Sequence, residues 1–473
     1  QMNVKFQEEL FVLPETLPLK PSGHIVCGNA CRLDWNTICP HTPEDEVYIM
    51  GNPPYLGSKL QDAIQKDDMK AALSDVKDKK GVDYIAAWFW KGAKYIKESK
   101  AKYAFVTTNS ISQGEQVAML WKPIFDLGLE IFYARTSFKW SNNAKYNAAV
   151  TVAVIGVGNK NNTQKLLFNE QENKAYKVDN INPYLSASDN VIVAKTYNIP
   201  QGLPKAEFGC MPYDNGHLLL SESEKNSLLE KYPESDIFIK RIMGSQEFLN
   251  DIRRYCLWID DDKREEAENI PPLRERIAAT KDFRLNESKD GASLANRSHQ
   301  FREHYVINED SKGKVIIPSV SSERRIYIPI GYVDKDTVIS NLAFAVYGAE
   351  KWLFALLTSK MHNLWVRTVG GRLKTDYRYS ATLCYNTFPF PKLATAEKEE
   401  LERHAQNILN TRDENFDMTL GEMYNPESMP KELRDAHHQL DLAVERIYRT
   451  EPFTSDEERL EHLFKLYAKM TQK

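Results

Sequence analysis

The sequence predicts a mixed α/β and α+β fold: part of an open Rossmann-like sheet, then a strand-rich region, then a helical region. Two apolar runs, 47–50 and 103–106, each end in a polar segment, as strands of an open α/β sheet do. After residue 158 short strand-like runs alternate with many Pro and Gly residues. From residue 391 the chain carries 18 Asp/Glu against 12 Lys/Arg, and its apolar residues have helical spacing. We therefore predict domains at 1–158, 159–390 and 391–473.

Composition limits the class of protein. The 473 residues fit two or three domains, and 42% apolar residues provide enough material for real cores. The net charge of −4 means that a nucleic-acid surface would have to be local. No apolar run approaches the roughly 18 residues of a membrane helix, so we expect no membrane association. Six irregularly spaced cysteines favour the reducing cytoplasm.

The sequence predicts no metal site. Four candidate ligands near the N-terminus lack the C-x2-C spacing of structural zinc sites: Cys27, Cys31, Cys39 and His41. We interpret them as separate residues near a strand end. The pair His437-His438 has no partner His one helix turn away, so we interpret it as core or solvated.

Three local predictions concern residues 24–96. Residues 24–35 predict a strand, a tight turn at Gly28-Asn29 and the start of a helix. Residues 57–80 are polar, which is typical of a loop or an exposed helix. Residues 83–96 predict a helix with a wide apolar face.

The stretch from Val47 to Tyr55 carries the strongest chemical pattern. Residues 47–50 predict a short buried strand, which Pro53 and Pro54 terminate. The Asn52 side-chain oxygen and the Pro53 backbone oxygen can both accept hydrogen bonds from one planar amine, which turns its lone pair toward an electrophile. Tyr55 offers a flat face to the ring that carries the amine. A simple Asn-Pro turn with a surface tyrosine is the alternative interpretation.

Further strands continue the predicted sheet. We predict strands over 103–109, 127–133 and 148–156, with a polar loop at 137–140. The first of these strands ends in the polar segment Thr107 to Ser110, as expected at the active edge of a sheet. The segment 159–163 has the composition of a linker.

The window 297–378 predicts a phosphate-contacting surface, because it holds 13 Lys/Arg against 8 Asp/Glu, interleaved with aromatic residues. Within it, 315–333 predicts a hairpin or two strands, with Glu323, Arg325 and Tyr327 on one face. Glu323 can accept from a cytosine amine, and Arg325 can bind guanine O6 and N7. A surface salt bridge is the alternative. The other residues predicted to contact DNA are Arg324, Lys312, Lys314, Arg372, Lys374 and Arg378.

Asn52-Pro53-Pro54-Tyr55 resembles motif IV of the S-adenosylmethionine-dependent amino-methyltransferases. That motif occurs in adenine-N6 DNA methyltransferases, and also in protein-glutamine and some rRNA-guanine methyltransferases. Gly28-Asn29 is similar to motif III of the gamma-order adenine enzymes, which implies that Asn29 contacts the cofactor together with Asn52. Residues 137–156 resemble motif VIII, which implies that Trp140, or else Phe138, joins Tyr55 around a flipped base. Both can instead be core aromatics.

The chain also resembles the MmeI-like family of single-chain type II restriction–modification enzymes. The matching stretches are Ser321-Ser322-Glu323-Arg324-Arg325-x-Tyr327-Ile328-Pro329, Asp376-Tyr377-Arg378-Tyr379-Ser380, Tyr385-Asn386-x-Phe388-Pro389 and Met423-Tyr424-x-Pro426-x-x-Met429-Pro430. The resemblance implies an adenine-N6 DNA methyltransferase domain, a target recognition domain and a C-terminal helical domain. It implies double-stranded DNA as a partner, S-adenosylmethionine as the cofactor, and upstream nuclease and cofactor-binding segments in a parent polypeptide.

No Gly-rich loop of the Asp-Pro-x-x-Gly-x-Gly type precedes Asn52. We therefore expect the chain to begin inside a methyltransferase domain and its cofactor site to be incomplete. The expected function is sequence-specific DNA recognition with methylation of adenine N6. A non-catalytic DNA-specificity fragment is the alternative. An enzyme acting on protein glutamine is a third interpretation, and the basic, aromatic window argues against it.

Overall fold

The computed structural model of the chain describes residues 25–77, 81–140, 150–169, 173–304 and 313–472. Its first sheet has six strands in the spatial order β1-β2-β4-β3-β5-β6. These strands are β1 Tyr48–Gly51, β2 Lys102–Thr108, β3 Leu129–Trp140, β4 Val150–Asn159, β5 Lys165–Asn169 and β6 Lys174–Val178. β1 runs parallel to β2, whereas β4 runs antiparallel between β2 and β3. The predicted open α/β sheet is confirmed, and because β1 and β2 are parallel, their carboxyl ends lie at one edge.

Four helices accompany this sheet: α1 Trp35–Ile38, α2 Ala63–Ala72, α3 Ala86–Ile96 and α4 Glu115–Asp126. α3 has the predicted wide apolar face, and Phe89 packs edge-on against Tyr103 of β2 and Trp121 of α4. A capping box begins α2, since Asp62 and Gln65 each bond the other's backbone N–H. A short 3-10 helix, Asn109–Ser112, follows β2 directly and carries the polar segment predicted there.

Sequence patterns misjudged four local features of this region. Residues 25–29 form no strand, because the described chain offers them no strand to pair with. β1 forms as predicted but is not buried: within the described chain it pairs on one side only, and Met50 is 80% exposed. Residues 137–140 are not a loop but the end of β3, which reaches that far by two register shifts against β4. Segment 159–163 is not a linker, because β5 and β6 continue the same sheet after it.

The middle of the chain contains three small sheets, in the orders β14-β9-β10-β8, β13-β11-β15-β7 and β12-β17-β16. Their strands are β7 Ala206–Phe208, β8 Leu219–Ser221, β9 Ile239–Met243, β10 Arg254–Leu257, β11 Lys314–Pro318, β12 Val320–Ser321, β13 Gly331–Val333, β14 Val338–Ile339, β15 Ala343–Val346, β16 Gly371–Leu373 and β17 Asp376–Arg378. The helices are α5 Glu222–Lys231, α6 Ser245–Asn250, α7 Arg264–Glu268, α8 Pro271–Glu287, α9 Lys289–Ser293, α10 Lys351–Thr358 and α11 Lys360–Val369. The predicted strand-rich region is confirmed.

The predicted strand through Glu323, Arg325 and Tyr327 is wrong. β12 ends at Ser321, and residues 322–327 form an irregular turn before β13. The three side chains do not share a face, because Tyr327 is buried while Glu323 is exposed. Arg367 explains the departure from strand geometry, since its guanidinium bonds the backbone oxygens of Arg325 and Ile326. Those oxygens are then unavailable to a neighbouring strand.

The C-terminal region is helical, as predicted: α12 Thr395–Glu414, α13 Leu420–Met423, α14 Lys431–Tyr448 and α15 Asp456–Thr471. The apolar face of α14 is buried as its spacing predicts. These helices share one core with α10, α11 and β11 of the preceding region. No helix in the described part of the chain is both long and apolar enough to cross a membrane.

Candidate functional site

The loop 52–57 follows β1 at the edge of the first sheet. Asn52 and Pro54 are exposed, Pro53 is buried and Tyr55 is half-buried. Strand register pairs Gly51 with Phe105 in the middle of β2, so the loop begins beside β2 and on the side toward its carboxyl end. A rigid polar loop at the carboxyl edge of parallel strands is the usual place for a ligand in this kind of sheet.

Two cavities flank this loop. The first has a volume of about 710 Å³ and is lined by Asn52, Pro53 and Pro54 together with mostly apolar side chains, among them Trp35 and Trp88. The second has a volume of about 640 Å³ and begins at Gly57. Both volumes are typical of small-molecule sites. Asn52, Pro53 and Pro54 therefore border the first cavity, and Gly57 is the loop residue that borders the second.

The second cavity, which we call the interdomain cleft, lies between the first sheet and the β16–β17 hairpin. The first sheet and the segments attached to it contribute Asp83, Gln116, Thr151 and the segment Thr108 to Ser110. The middle region contributes Glu323, Gly371, Arg372, Lys374 and Thr375. The structure thus brings three predicted recognition residues, Glu323, Arg372 and Lys374, to the edge that carries the predicted catalytic loop.

Arg372 organises the recognition side of the cleft. Its Nη1 donates to Glu323 Oε2 at 3.1 Å and to the Thr375 backbone oxygen at 2.8 Å. Its guanidinium lies 4.4 Å from the centre of the Tyr377 ring. Lys374 is exposed at the hairpin turn, and Arg378 is exposed on β17. The basic groups here are thus divided between one that holds Glu323 and two that face solvent.

The remaining predicted DNA contacts lie in different surroundings. Arg325 is half-buried, and burial lowers the pKa of its guanidinium, while Arg324 is exposed and bonds Glu427. Lys314 is 7% exposed and donates to the Thr337 backbone oxygen at 2.8 Å, so the prediction that it lies on an exposed phosphate-contacting surface is wrong. Burial lowers the pKa of its ammonium. Lys312 lies outside the described residues.

The predicted cofactor and stacking residues have local partners. The Asn29 Oδ1 atom accepts from the Cys31 backbone N–H at 2.9 Å, and its Nδ2 donates to Asp68 at 2.8 Å. Phe138 is half-buried beneath the Arg135 guanidinium, which lies 4.5 Å from the ring centre. Trp140 ends β3, and its side chain lies outside what the structure describes.

Asp83 is a site residue that the sequence patterns missed. Its carboxylate is 5% exposed and accepts a hydrogen bond from the backbone N–H of Leu56, directly after Tyr55, at 2.9 Å. Burial raises the pKa of this carboxyl above its ordinary value, although the bonds it accepts oppose the shift. The available signal was an Asp just before a strongly helical segment, which is ordinarily interpreted as a helix cap.

The turn 322–327 is fastened to the C-terminal region by a buried pair. The Tyr327 hydroxyl donates to Asp441 Oδ2 of α14 at 2.6 Å, and the Lys360 backbone N–H donates to Asp441 Oδ1 at 2.7 Å. Burial nevertheless raises the pKa of Asp441 to about 7. His437 of the same helix is also buried, where its Nε2 lies 2.6 Å from the Tyr424 hydroxyl.

The raised pKa of Asp441 makes folding stability pH-dependent. Between pH about 4 and about 7 the folded chain holds a proton on Asp441 that the unfolded chain has lost, so the free energy of unfolding falls as pH rises through this window. Asp441→Asn removes this proton uptake. We therefore expect the free energy of unfolding to change less across this pH window, by an amount on the order of a few kcal/mol. Urea unfolding of both proteins across this range measures the difference. Identical pH dependences would contradict the assignment.

Comparison with known proteins gives consistent matches along the chain. Residues 1–169 match the family model of the MmeI DNA-methyltransferase domain, 187–392 that of the MmeI target recognition domain, and 393–473 that of the MmeI C-terminal domain. DNA methyltransferase A of Bacillus subtilis (strain 168) is 46% identical over 476 residues, which cover 100% of this chain and 54% of that protein. The chain thus spans about half the length of this relative.

A solved structure gives the same result. The type IIL restriction–modification enzyme MmeI, determined in complex with DNA, superposes with a TM-score of 0.82 at 36% identity. The match covers 100% of this chain and 63% of that one.

Proposed function

Because the chain belongs to the MmeI family, we propose that it recognises double-stranded DNA and methylates adenine N6 with S-adenosylmethionine as part of a restriction–modification enzyme. A methyltransferase domain of this family implies a methyl donor. The choice of adenine is supported by Asn52-Pro53-Pro54-Tyr55. The observation that carries the proposal is the position of this loop, between an apolar cavity and a cleft lined by the recognition residues Glu323, Arg372 and Lys374.

Access to the base is the first requirement of the mechanism. A stacked adenine cannot reach the loop, so it must be flipped out of the duplex at a cost of roughly a few kcal/mol. The interdomain cleft, which the loop meets at Gly57, would provide the space, and stacking on Tyr55 would return on the order of 1–3 kcal/mol. Phe138, or Trp140, is proposed as the second wall.

Orientation of the amine is the second requirement. The Asn52 side-chain oxygen and the Pro53 backbone oxygen would accept both N6 hydrogens, so the nitrogen lone pair points at the methyl group. Both oxygens also stabilise the positive charge that develops on nitrogen. The proposed mechanism requires no cysteine nucleophile, and burial raises the pKa of Cys31 to about 11.

The described residues fit one part of the proposed methyl donor. S-adenosylmethionine, when bound, supplies an activated methyl group. The cavity beside Asn52 has apolar walls that suit the uncharged part of such a molecule, but its lining includes no charged side chain for an amino-acid end. Asn29 is proposed to contact the adenine ring of the cofactor. Its side chain already hydrogen-bonds Cys31 and Asp68, so it has limited remaining capacity for hydrogen bonds to the cofactor.

We therefore expect the 473-residue chain to bind S-adenosylmethionine weakly or not at all, because it also contains no Gly-rich loop before Asn52. Isothermal titration calorimetry measures this directly. A longer, methylation-competent protein that contains this chain is the control. Micromolar binding by the chain itself would contradict the prediction.

The proposed function is tested by methyl transfer and by salt dependence. A longer protein that contains this chain should transfer tritiated methyl groups to duplex DNA and not to protein substrates. Its DNA affinity should fall linearly with the logarithm of salt concentration, as phosphate contacts require. DNA binding with no transfer would favour a non-catalytic specificity protein, which the missing Gly-rich loop supports as the second candidate. Transfer to protein glutamine would overturn the proposal.

A further inference from the structure

The backbone directly after Tyr55 is fixed by a clamp. The Leu56 N–H donates to Asp83 Oδ1 at 2.9 Å. The Leu56 carbonyl oxygen accepts from the Tyr84 N–H at 3.0 Å and from Gln61 Nε2 at 2.9 Å. Three hydrogen bonds thus hold a residue in a loop that otherwise borders two cavities. Because Leu56 is bonded to Tyr55, the clamp also limits where Tyr55 and Asn52 can lie.

Asp83 joins this clamp to two other elements of the site. Its Oδ1 also accepts from the Ile85 N–H at 3.2 Å, just before α3 begins. Its Oδ2 lies 3.4 Å from Ser110 Oγ, and Ser110 follows β2. One buried carboxylate thus connects the loop after β1, the polar end of β2 and the start of α3. These are the elements that form the methyltransferase wall of the interdomain cleft.

The backbone of Asp83 continues the connection toward the recognition side. The Asp83 N–H donates to Gln116 Oε1 of α4 at 2.8 Å. Gly114, which precedes α4, donates its N–H to the Val369 backbone oxygen at 3.2 Å. Gly114 has a φ of +63°, and a Cβ atom there would lie 3.2 Å from the Cα of Gly371. The start of α4 therefore rests against the strand that carries Arg372, with no room for a side chain.

We propose that Asp83 is a positioning residue that holds the Asn52–Tyr55 loop in its methyl-transfer geometry and, through Gln116 and Gly114, registers that loop against the recognition hairpin. The inference rests on the proposed function of the loop. Asp83 holds the loop backbone through the Leu56 N–H, so we expect its effect to belong to the transfer step. Misplacing a reacting group by about 1 Å costs on the order of 100-fold in rate. DNA affinity depends on the separate basic surface and should not change.

The test uses a longer protein that contains this chain, unsubstituted and with Asp83→Ala, Asp83→Asn or Gln116→Ala. We expect Asp83→Ala to lower the single-turnover methyl-transfer rate by about 10- to 100-fold while the DNA dissociation constant stays the same. Asp83→Asn keeps an acceptor oxygen for the Leu56 N–H and should restore most of the rate. Gln116→Ala should lower the rate less, because it leaves the clamp on Leu56 in place.

Controls separate this inference from the function on which it rests. Lys122→Ala changes an exposed residue of the same helix, α4, and should leave the rate unchanged. If Asp83→Ala fails to fold, the other two variants decide. A lower methyl-transfer rate in Gln116→Ala and a retained rate in Asp83→Asn support the positioning role. Wild-type transfer rates in all three variants would overturn the inference alone. A parallel loss of rate and DNA affinity would also overturn it, whereas no methyl transfer by the unsubstituted protein would overturn the proposed function.

Discussion

Asn52→Ala is expected to lower the rate of methyl transfer by about 100-fold or more and to leave DNA affinity nearly unchanged. The substitution removes one of the two oxygens proposed to accept from the adenine amine. The other, from the Pro53 backbone, remains, but one acceptor cannot fix the direction of the lone pair. Asn52 lines the apolar cavity and is not one of the basic residues of the β16–β17 hairpin. Its substitution should therefore remove no phosphate contact.

A tritiated-methyl assay at saturating DNA, with a parallel binding titration, measures both quantities. Asn36→Ala is a matched control, since Asn36 is an exposed asparagine of α1 whose side chain donates to nearby Asp34. It should retain full activity. An Asn52→Ala enzyme that keeps most of its activity would contradict the assignment of this loop as the catalytic one.

The second large effect concerns sequence specificity. The double change Glu323→Lys with Arg325→Asp is expected to alter which base is accepted at one position of the DNA site. Glu323 lies at the cleft, and we propose that its carboxylate accepts from a base amine there. Arg372 supports this role, because it holds Glu323 through Oε2 and neutralises part of its charge. Each good base contact is worth about 1–3 kcal/mol of discrimination.

Sequencing the methylated sites of the double variant measures the change. Lys374→Ala is the control, since Lys374 is exposed at the hairpin turn and should contact phosphate. It should weaken binding to all sequences and flatten the salt dependence by about one unit. If the double variant keeps the same recognition sequence while its affinity falls uniformly, the pair is structural and our interpretation of the turn is wrong.

Local patterns in the sequence predicted the elements whose side chains repeat with a regular period. α3 and α14 have the predicted apolar faces, and β1, β2 and β4 occur where apolar runs predicted strands. The Asn52 loop was identifiable because two adjacent prolines and an Asn leave few other interpretations. These features depend on residues close together in the chain.

The features that sequence missed depend on residues far apart. The prediction that β1 is buried was wrong, because the burial of a strand depends on which strands flank it. The turn 322–327 departs from a strand because of Arg367, 42 residues beyond Arg325. Asp83 gains its role from contacts with Leu56 and Gln116, which are 27 and 33 positions away. Hydrophobic period and turn chemistry contain no information about such partners.

The bond between Tyr327 and Asp441 has a consequence for exchanging recognition regions between relatives. The turn that carries Glu323 takes its register from α14, which lies beyond the matched recognition domain. Consider a chimaera that takes residues 187–392 from one relative and α14 from another. It keeps this register only if both Tyr327 and Asp441 are still present. If Tyr327 is lost, Asp441 stays buried without its hydroxyl donor, a situation that ordinarily costs about 1–3 kcal/mol. We therefore expect a recognition region to keep the geometry of this turn only when it is exchanged together with one face of α14.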